Sequence, residues 1–259
     1  MENVQTATRQ NKPFTTGGIK AMILAAGLGT RLKPWTNQHP KALAMVNGKS
    51  LLQLNIEYLQ QFDITDVVVN VHHFADQIIK AIEDSSGWGS NIIVSDETAV
   101  VLETGGGLLK ASPLLVGTSP FVLMNVDVLT DMDLSEMIDA HLEYLPLATL
   151  ATSTRKTSRY FLFDRSNNLV GWKNTLTGEV KGLEALTGFE QARAFSGIHV
   201  IDPAIFSYIK FTGKFSMVDV YLDLMKSHSI RCFDHSGSKF IDVGKPESIS
   251  LAAEMFAPV

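Results

Sequence analysis

Three runs of this chain are apolar almost without interruption: Ala21-Met22-Ile23-Leu24-Ala25, Val67-Val68-Val69-Asn70-Val71 and Phe121-Val122-Leu123-Met124. A strand with one wet face alternates apolar and polar residues, so unbroken runs belong to strands covered on both faces. Helical spacing fills the intervals. It predicts a helix over Ser50 to Phe62 with Ser50 as N-cap, and another over Phe74 to Asp84 through Ile78, Ile79 and Ile82. Asn91 to Ser95 reads as a further strand, Gly105 to Ala111 as a short helix, and Pro120 to Val126 as a fourth buried strand. Strand–helix alternation at these lengths means βαβ units and a parallel sheet.

The second half has a different rhythm. Leu147 to Ser153, Tyr160 to Asp164, Asn168 to Lys173 and Ala194 to Asp202 read as strands joined by short turns, with a turn signal at Asn167-Asn168. Ser216 to His228 is expected as a helix and Lys239 to Val243 as a strand. Pro246 at N1 opens a last helix running to Phe256. Thr175 to Arg193 is the least regular stretch.

The first apolar strand runs into LAAGLGTRLKPWTNQHPKAL, Leu24 to Leu43. A loop freed of side chains by Gly27 and Gly29, flanked by Arg31 and Lys41, offers main-chain N–H groups and fixed cations to a triphosphate. Both glycines are expected to use their freedom at positive φ. The P-loop pattern fails for want of its lysine, and the dinucleotide fingerprint fails because Leu32 stands at its third glycine. Composition agrees with a nucleotide enzyme. The 259 residues suit one large α/β domain or two small ones, and the net charge of −5 argues against nucleic acid as partner. A lone cysteine, Cys232, excludes a disulfide framework, and no apolar run approaches the roughly 20 residues of a membrane span. The start lacks secretory features, so a cytoplasmic location and no membrane partner are expected, with residues 1–18 a mobile extension.

LAAGxGxRLxP…PKxL resembles the signature of the sugar-1-phosphate nucleotidyltransferases. Three further strings resemble that family: FVLMNVDV ending at Asp127, Phe240-Ile241-Asp242-Val243-Gly244-Lys245-Pro246, and Phe195-Ser196-Gly197-Ile198-His199-Val200. The resemblance implies a Rossmann-like three-layer α/β fold with a mixed, mostly parallel sheet over a single domain, residues 19–259. It also implies transfer of a nucleoside monophosphate from an NTP to a sugar 1-phosphate, with pyrophosphate released. Arg31 and Lys41 would then act on the phosphates, and Asp127 and Asp242 would hold Mg²⁺. Ala26, Gly27, Leu28, Gly29 and Thr30 would line the triphosphate, and Glu103, Thr104 and Gly105 the base. Asn125, Lys173, Ser196 and Gly197 would face the sugar, with Thr175 to Arg193 as a loop over it. The family writes G-D where this chain has Val126-Asp127, and an acid where it has Trp172. Glu103 as a hydrogen-bond acceptor suits uracil or guanine, so UTP and GTP both stay open. The LETGGG string looks most like the N-acetylmuramic acid-1-phosphate uridylyltransferases, with the mannose-1-phosphate guanylyltransferases close by. Two other readings compete. Asp131-Met132-Asp133 matches the D-x-D string of A-type glycosyltransferases, and a regulatory subunit could keep the fold as a nucleotide-sugar sensor. The enzyme is expected as a monomer or small homo-oligomer.

Overall fold

The computed structural model describes residues 18–117, 119–182, 188 and 190–257. The expected mobile extension thus lies outside the described residues except for Gly18, as does the centre of the irregular Thr175 to Arg193 stretch.

The first half alternates as its apolar runs require. Strand β1 (Ala21–Leu24) is followed by a small hairpin of β2 (Met45–Val46) and β3 (Lys49–Ser50), then α1 (Leu51–Gln60). Next come β4 (Asp66–Val71), α2 (Ala75–Asp84), β5 (Asn91–Asp96), α3 (Glu103–Leu115) and β6 (Phe121–Asn125). Ser50 caps α1 as expected, its hydroxyl accepting from the Gln53 N–H at 3.1 Å. Helix α3 runs one turn past its expected end, through Pro113. The missing proline N–H falls in the last turn, where little of the helix remains to be broken.

The second half comprises β7 (Val128–Thr130), α4 (Leu134–Tyr144), β8 (Ala148–Ser153), β9 (Arg159–Phe163), β10 (Leu169–Asn174) and β11 (Val180–Gly182). It continues with β12 (Gln191–Ile201), α5 (Ile205–Tyr208), α6 (Met217–Leu224), β13 (Ile230–Asp234), β14 (Phe240–Asp242) and α7 (Pro246–Met255). Helix α4 and strand β7 were not expected from the sequence.

One ten-stranded sheet carries most of these strands, with the path β11-β10-β9-β12-β6-β1-β4-β5 and β8 and β13 branching from β12. Strands β6, β1, β4 and β5 pair in parallel, whereas β12 runs antiparallel to β6, β8 and β9. Successive residues on β1 face opposite cores. Ala21 and Ile23 pack with α1, α2, α4 and α7, while Met22 and Leu24 pack with α3, α5 and α6. That alternation makes three layers, with the sheet between two helical covers.

Candidate active site

Parallel pairing brings the carboxyl ends of β1, β4 and β6 to one edge, where open α/β sheets bind ligands. A cavity of about 520 Å³ lies there, lined by the loop Ala25 to Arg31, Lys41, Asn70, Glu97, Glu103, Thr104, Asn125, Asp127, Lys214 and Ser216. Most of the expected nucleotide residues therefore meet at one place.

Within the loop the two glycines differ. Gly29 has φ of +60°, and a Cβ there would lie 2.9 Å from Thr36 Cγ2. Gly27 has no positive φ and open space where a Cβ would stand, so its expected left-handed conformation is corrected. Its use is to leave the loop bare on the cavity side. The N–H groups of Gly27, Leu28 and Gly29 have no partner among the described residues. Ala26 is different: its N–H, like that of Ala25, donates to Asn70 Oδ1, at 3.3 and 2.7 Å. Asn70 thus pins the loop to β4, and that explains a polar residue inside an apolar strand.

Two cation–carboxylate pairs stand at the cavity, with Arg31, Lys41 and Asp127 in its lining and Asp242 beside it, paired to Arg31. Lys41 Nζ and Asp127 Oδ2 form a close ion pair with both side chains largely buried. Arg31 Nη2 lies 3.7 Å from Asp242 Oδ2, with both groups half exposed. The aspartates arrive from distant segments because β14 pairs antiparallel with β7, setting Asp242 opposite Val128, and the Val243 N–H donates to the Asp127 carbonyl at 2.8 Å. Burial, and then the Asp127 charge, raise the Asp242 carboxyl above its ordinary range. Two carboxylates that repel one another, each neutralised by a cation on the same cavity wall, form a donor set suited to a hard divalent ion that completes its shell with phosphate oxygens and water. Among the described residues no group of three or more His, Cys, Asp or Glu forms a metal cluster.

At the base end the structure separates residues the sequence grouped. Glu103 opens α3 at φ of +59°, half exposed, with Lys214 Nζ 3.4 Å from its carboxylate. The Thr104 hydroxyl accepts from the Met217 N–H, tying α3 to α6. Gly105 packs closely, since a Cβ there would meet Phe215 at 2.5 Å. Gly106 sits against the Gly213 carbonyl and Gly107 against Glu97 and Asn70. The triplet lets α3 approach the 213–215 backbone and the Asn70–Glu97 pair. Glu97 is a residue the sequence reading missed. It is buried, its Oε1 accepts from Asn70 Nδ2 at 2.7 Å, and its Oε2 has no hydrogen-bond partner. Burial raises its pKa, opposed by Asn70 and the Leu102 backbone N–H. An acid just past the end of β5, beside an asparagine interrupting the DVVVNV strand, is the signal that could have found it.

On the sugar side, Gly197 lies in a β-bulge of β12 at φ of +75°, and a Cβ would come within 2.6 Å of Asn125 Nδ2. Gly197 and Asn125 therefore meet, as expected. Ser196 does not join them: its side chain is buried, in a 2.7 Å hydrogen bond with His235 Nε2. Lys173 stands apart from the cavity lining, its Nζ 5.8 Å from the Tyr160 ring centroid. The D-x-D string is occupied structurally, since Asp131 accepts from the Lys239 N–H and Asp133 caps α4. His72 and His73 also serve locally, His72 on the Glu97 carbonyl and His73 on the Phe74 ring.

The sequence matches the family described as Nucleotidyl transferase over residues 20–257. It is 34% identical over 236 residues to the N-acetylmuramate alpha-1-phosphate uridylyltransferase of Neisseria meningitidis serogroup B, covering 87% of this chain and 93% of that protein. A protein of the same name from Caulobacter vibrioides is 31% identical over 245 residues, covering 90% and 95%. Among solved structures, HddC from Yersinia pseudotuberculosis complexed with GMP-PN superposes with a TM-score of 0.71 at 23% identity, over 92% of this chain and 99% of that one, and so shares the fold. With the Gly loop, both aspartates and both cations at one sheet edge, this chain belongs to the nucleotidyl transferase family.

Proposed function

We propose that this protein transfers the nucleoside monophosphate of UTP or GTP to a sugar 1-phosphate. The observation that carries the reading is the meeting of Arg31, Lys41, Asp127 and Asp242, from three separated segments, beside a loop with free N–H groups. An oxygen of the sugar phosphate attacks the α-phosphorus, the bond from that phosphorus to the bridging oxygen breaks, and pyrophosphate leaves with the electron pair. The nucleophile is already ionised near neutral pH, so no general base is needed. Positioning and charge neutralisation carry the catalysis.

In this reading the N–H groups of Gly27 to Gly29 cradle the triphosphate, with Thr30 at the edge of the loop. Arg31 takes the β and γ phosphates, and Lys41 the α-phosphate region and the incoming sugar phosphate. Asp127 and Asp242 would hold Mg²⁺, which, when bound, neutralises charge on the phosphate oxygens. Asn125 and Gly197 face the sugar; Ser196 and Lys173 are not placed to do so. The base is read at Glu97, a cavity-lining carboxylate with one buried oxygen left without a partner, which suits N3–H of uracil or N1–H of guanine. Glu103, held by Lys214, stands at the rim.

The names of the two uridylyltransferase relatives favour UTP and N-acetylmuramic acid 1-phosphate. A cytoplasmic enzyme, a monomer or small oligomer without membrane or nucleic-acid partners, accords with the acidic sequence and with described helices too short or polar to cross a membrane. Pyrophosphate release, measured over four NTPs against N-acetylmuramic acid 1-phosphate and mannose 1-phosphate, tests the reading. UTP or GTP is expected to lead, and Glu97→Ala to cost more than Glu103→Ala. Preference for ATP or CTP would remove the base assignment, and no release with any pair would remove the transferase reading.

A further inference from the structure

Arg155 lies two residues beyond β8, half-buried, and forms no ion pair with any described carboxylate. Its Nη2 donates to the Phe195 carbonyl at 2.6 Å, and its guanidinium carbon sits 4.9 Å from the Phe240 ring centroid. Its Nε is buried without a partner. One hydrogen bond from five donors is poor compensation for a cation drawn out of water. Burial lowers its pKa, and Asp242 and Tyr160 act in the opposite direction, so those two groups face it. Lys41 and Arg193, by contrast, each have an aspartate.

Its neighbours locate it. Asp242 pairs with Arg31 beside the cavity, Phe195 precedes the Gly197 bulge against Asn125, and Tyr160 pairs with Lys173 across β9 and β10. Arg155 therefore approaches Asp242 from the second half of the molecule, through its contact with Phe240 on the same strand, while Arg31 approaches it from the first. An acceptor phosphate entering there meets two carboxylates and a triphosphate, and it needs a cation on its own side. Lys173, over the Tyr160 ring, does not supply one.

We propose that Arg155 binds the anionic group of the sugar 1-phosphate acceptor and sets the affinity for the acceptor rather than for the NTP. The proposal rests on the transferase reading. A planar guanidinium held by a carbonyl and an aromatic face suits two-pronged recognition of a phosphate or a carboxylate. The anion is thus either the 1-phosphate common to all acceptors or a carboxylate on the sugar, as in N-acetylmuramic acid.

Calorimetric titration of the full chain with mannose 1-phosphate and with N-acetylmuramic acid 1-phosphate, in Mg²⁺ with non-hydrolysable UTP and GTP analogues, separates the cases. Arg155→Met is expected to weaken both acceptors at least tenfold if the 1-phosphate is held, or only the acidic one if the carboxylate is. Affinity for the NTP analogue should stay within twofold. Unchanged acceptor affinity, or an equal loss for the NTP analogue, overturns the proposal. Should Arg155→Met fail to fold, Arg155→Lys decides, since it keeps the charge but not the fork: weaker acceptor binding supports the proposal and parental binding overturns it. A wild type that binds acceptor through Arg155 yet releases no pyrophosphate would remove the transferase reading alone. Turnover with Arg155-independent acceptor affinity would remove this one alone.

Discussion

The parallel half of the sheet and its antiparallel half solve the same packing problem with different means. From β1 to β6, Asn70, Glu97, Asn125 and Asp127 stand at or just past strand ends, where they meet the cavity. The second half buries polar groups deep between layers. His199 on β12 meets the Tyr221 hydroxyl of α6 at 2.6 Å, and His141 on α4 meets Thr149 of β8 at 3.0 Å. The first half thus gathers polar groups at the cavity as well as inside its layers, where Asn55 on α1 donates to the Val126 carbonyl at 2.9 Å, whereas these histidines of the second half serve cohesion alone. The two should fail under different insults.

The largest effect expected is on turnover. Asp127→Asn and Asp242→Asn should each abolish most activity and weaken its Mg²⁺ dependence, while the thermal midpoint stays near that of the parent. Parental turnover in either variant at ordinary Mg²⁺ would take that residue out of the site. Next, Arg31→Ala should lower kcat by roughly 100-fold, the scale for one lost donor to transition-state charge. Lys41→Ala should lower kcat and raise KM for the sugar phosphate. A change in NTP KM alone would make Arg31 a uniform binder.

Acid should strike the second half first. Burial depresses His199 to about 3 and His141 to about 4, against 6.5 when unfolded. Between those values the unfolded chain binds more protons, so stability is full above pH 6.5 and falls as pH drops toward the folded values. The slope is up to about 1.4 kcal/mol per pH unit for each histidine. Melting curves from pH 7 to 5 should show the decline, and His199→Gln should flatten it. An equally steep curve in that variant would place the sensitivity elsewhere.

The smallest effects contrast two glycines. Gly106→Ala gains helix propensity but brings a Cβ within 2.3 Å of the Gly213 carbonyl, so a net loss of roughly 1–3 kcal/mol is expected. Gly27→Ala meets open space and should change stability by no more than about 0.5 kcal/mol. Equal denaturation midpoints for the two variants would contradict the packing role of the triplet.

The same contrast explains what could be read from the chain alone. Runs such as DVVVNV declare a doubly covered strand, and a glycine loop between cations declares phosphate, because both are local patterns. Helix α4 went unread although Leu134, Met137, Ile138 and His141 mark a buried face, since its cap, Asp133, sits in a string that also resembles a metal motif. Glu97 and Arg155 owe their interest to one buried polar atom each left without a partner, and burial is a tertiary property. Gly105 shows the same limit: its string resembles a base-binding loop, and only the folded backbone reveals its close packing against Phe215.

Lys41 paired with Asp127 and Arg31 with Asp242 set two positive groups against two negative, so this quartet has a formal charge of zero. It behaves as a double inner salt. Orthophosphate, or a nucleotide stripped of its metal, finds little net attraction there and would have to break both pairs unaided. A metal-chelated triphosphate brings its own cation to the carboxylates and its own anion to the lysine and arginine, so partners are exchanged and none is stranded. Such a cavity discriminates against common small anions before any base or sugar is inspected.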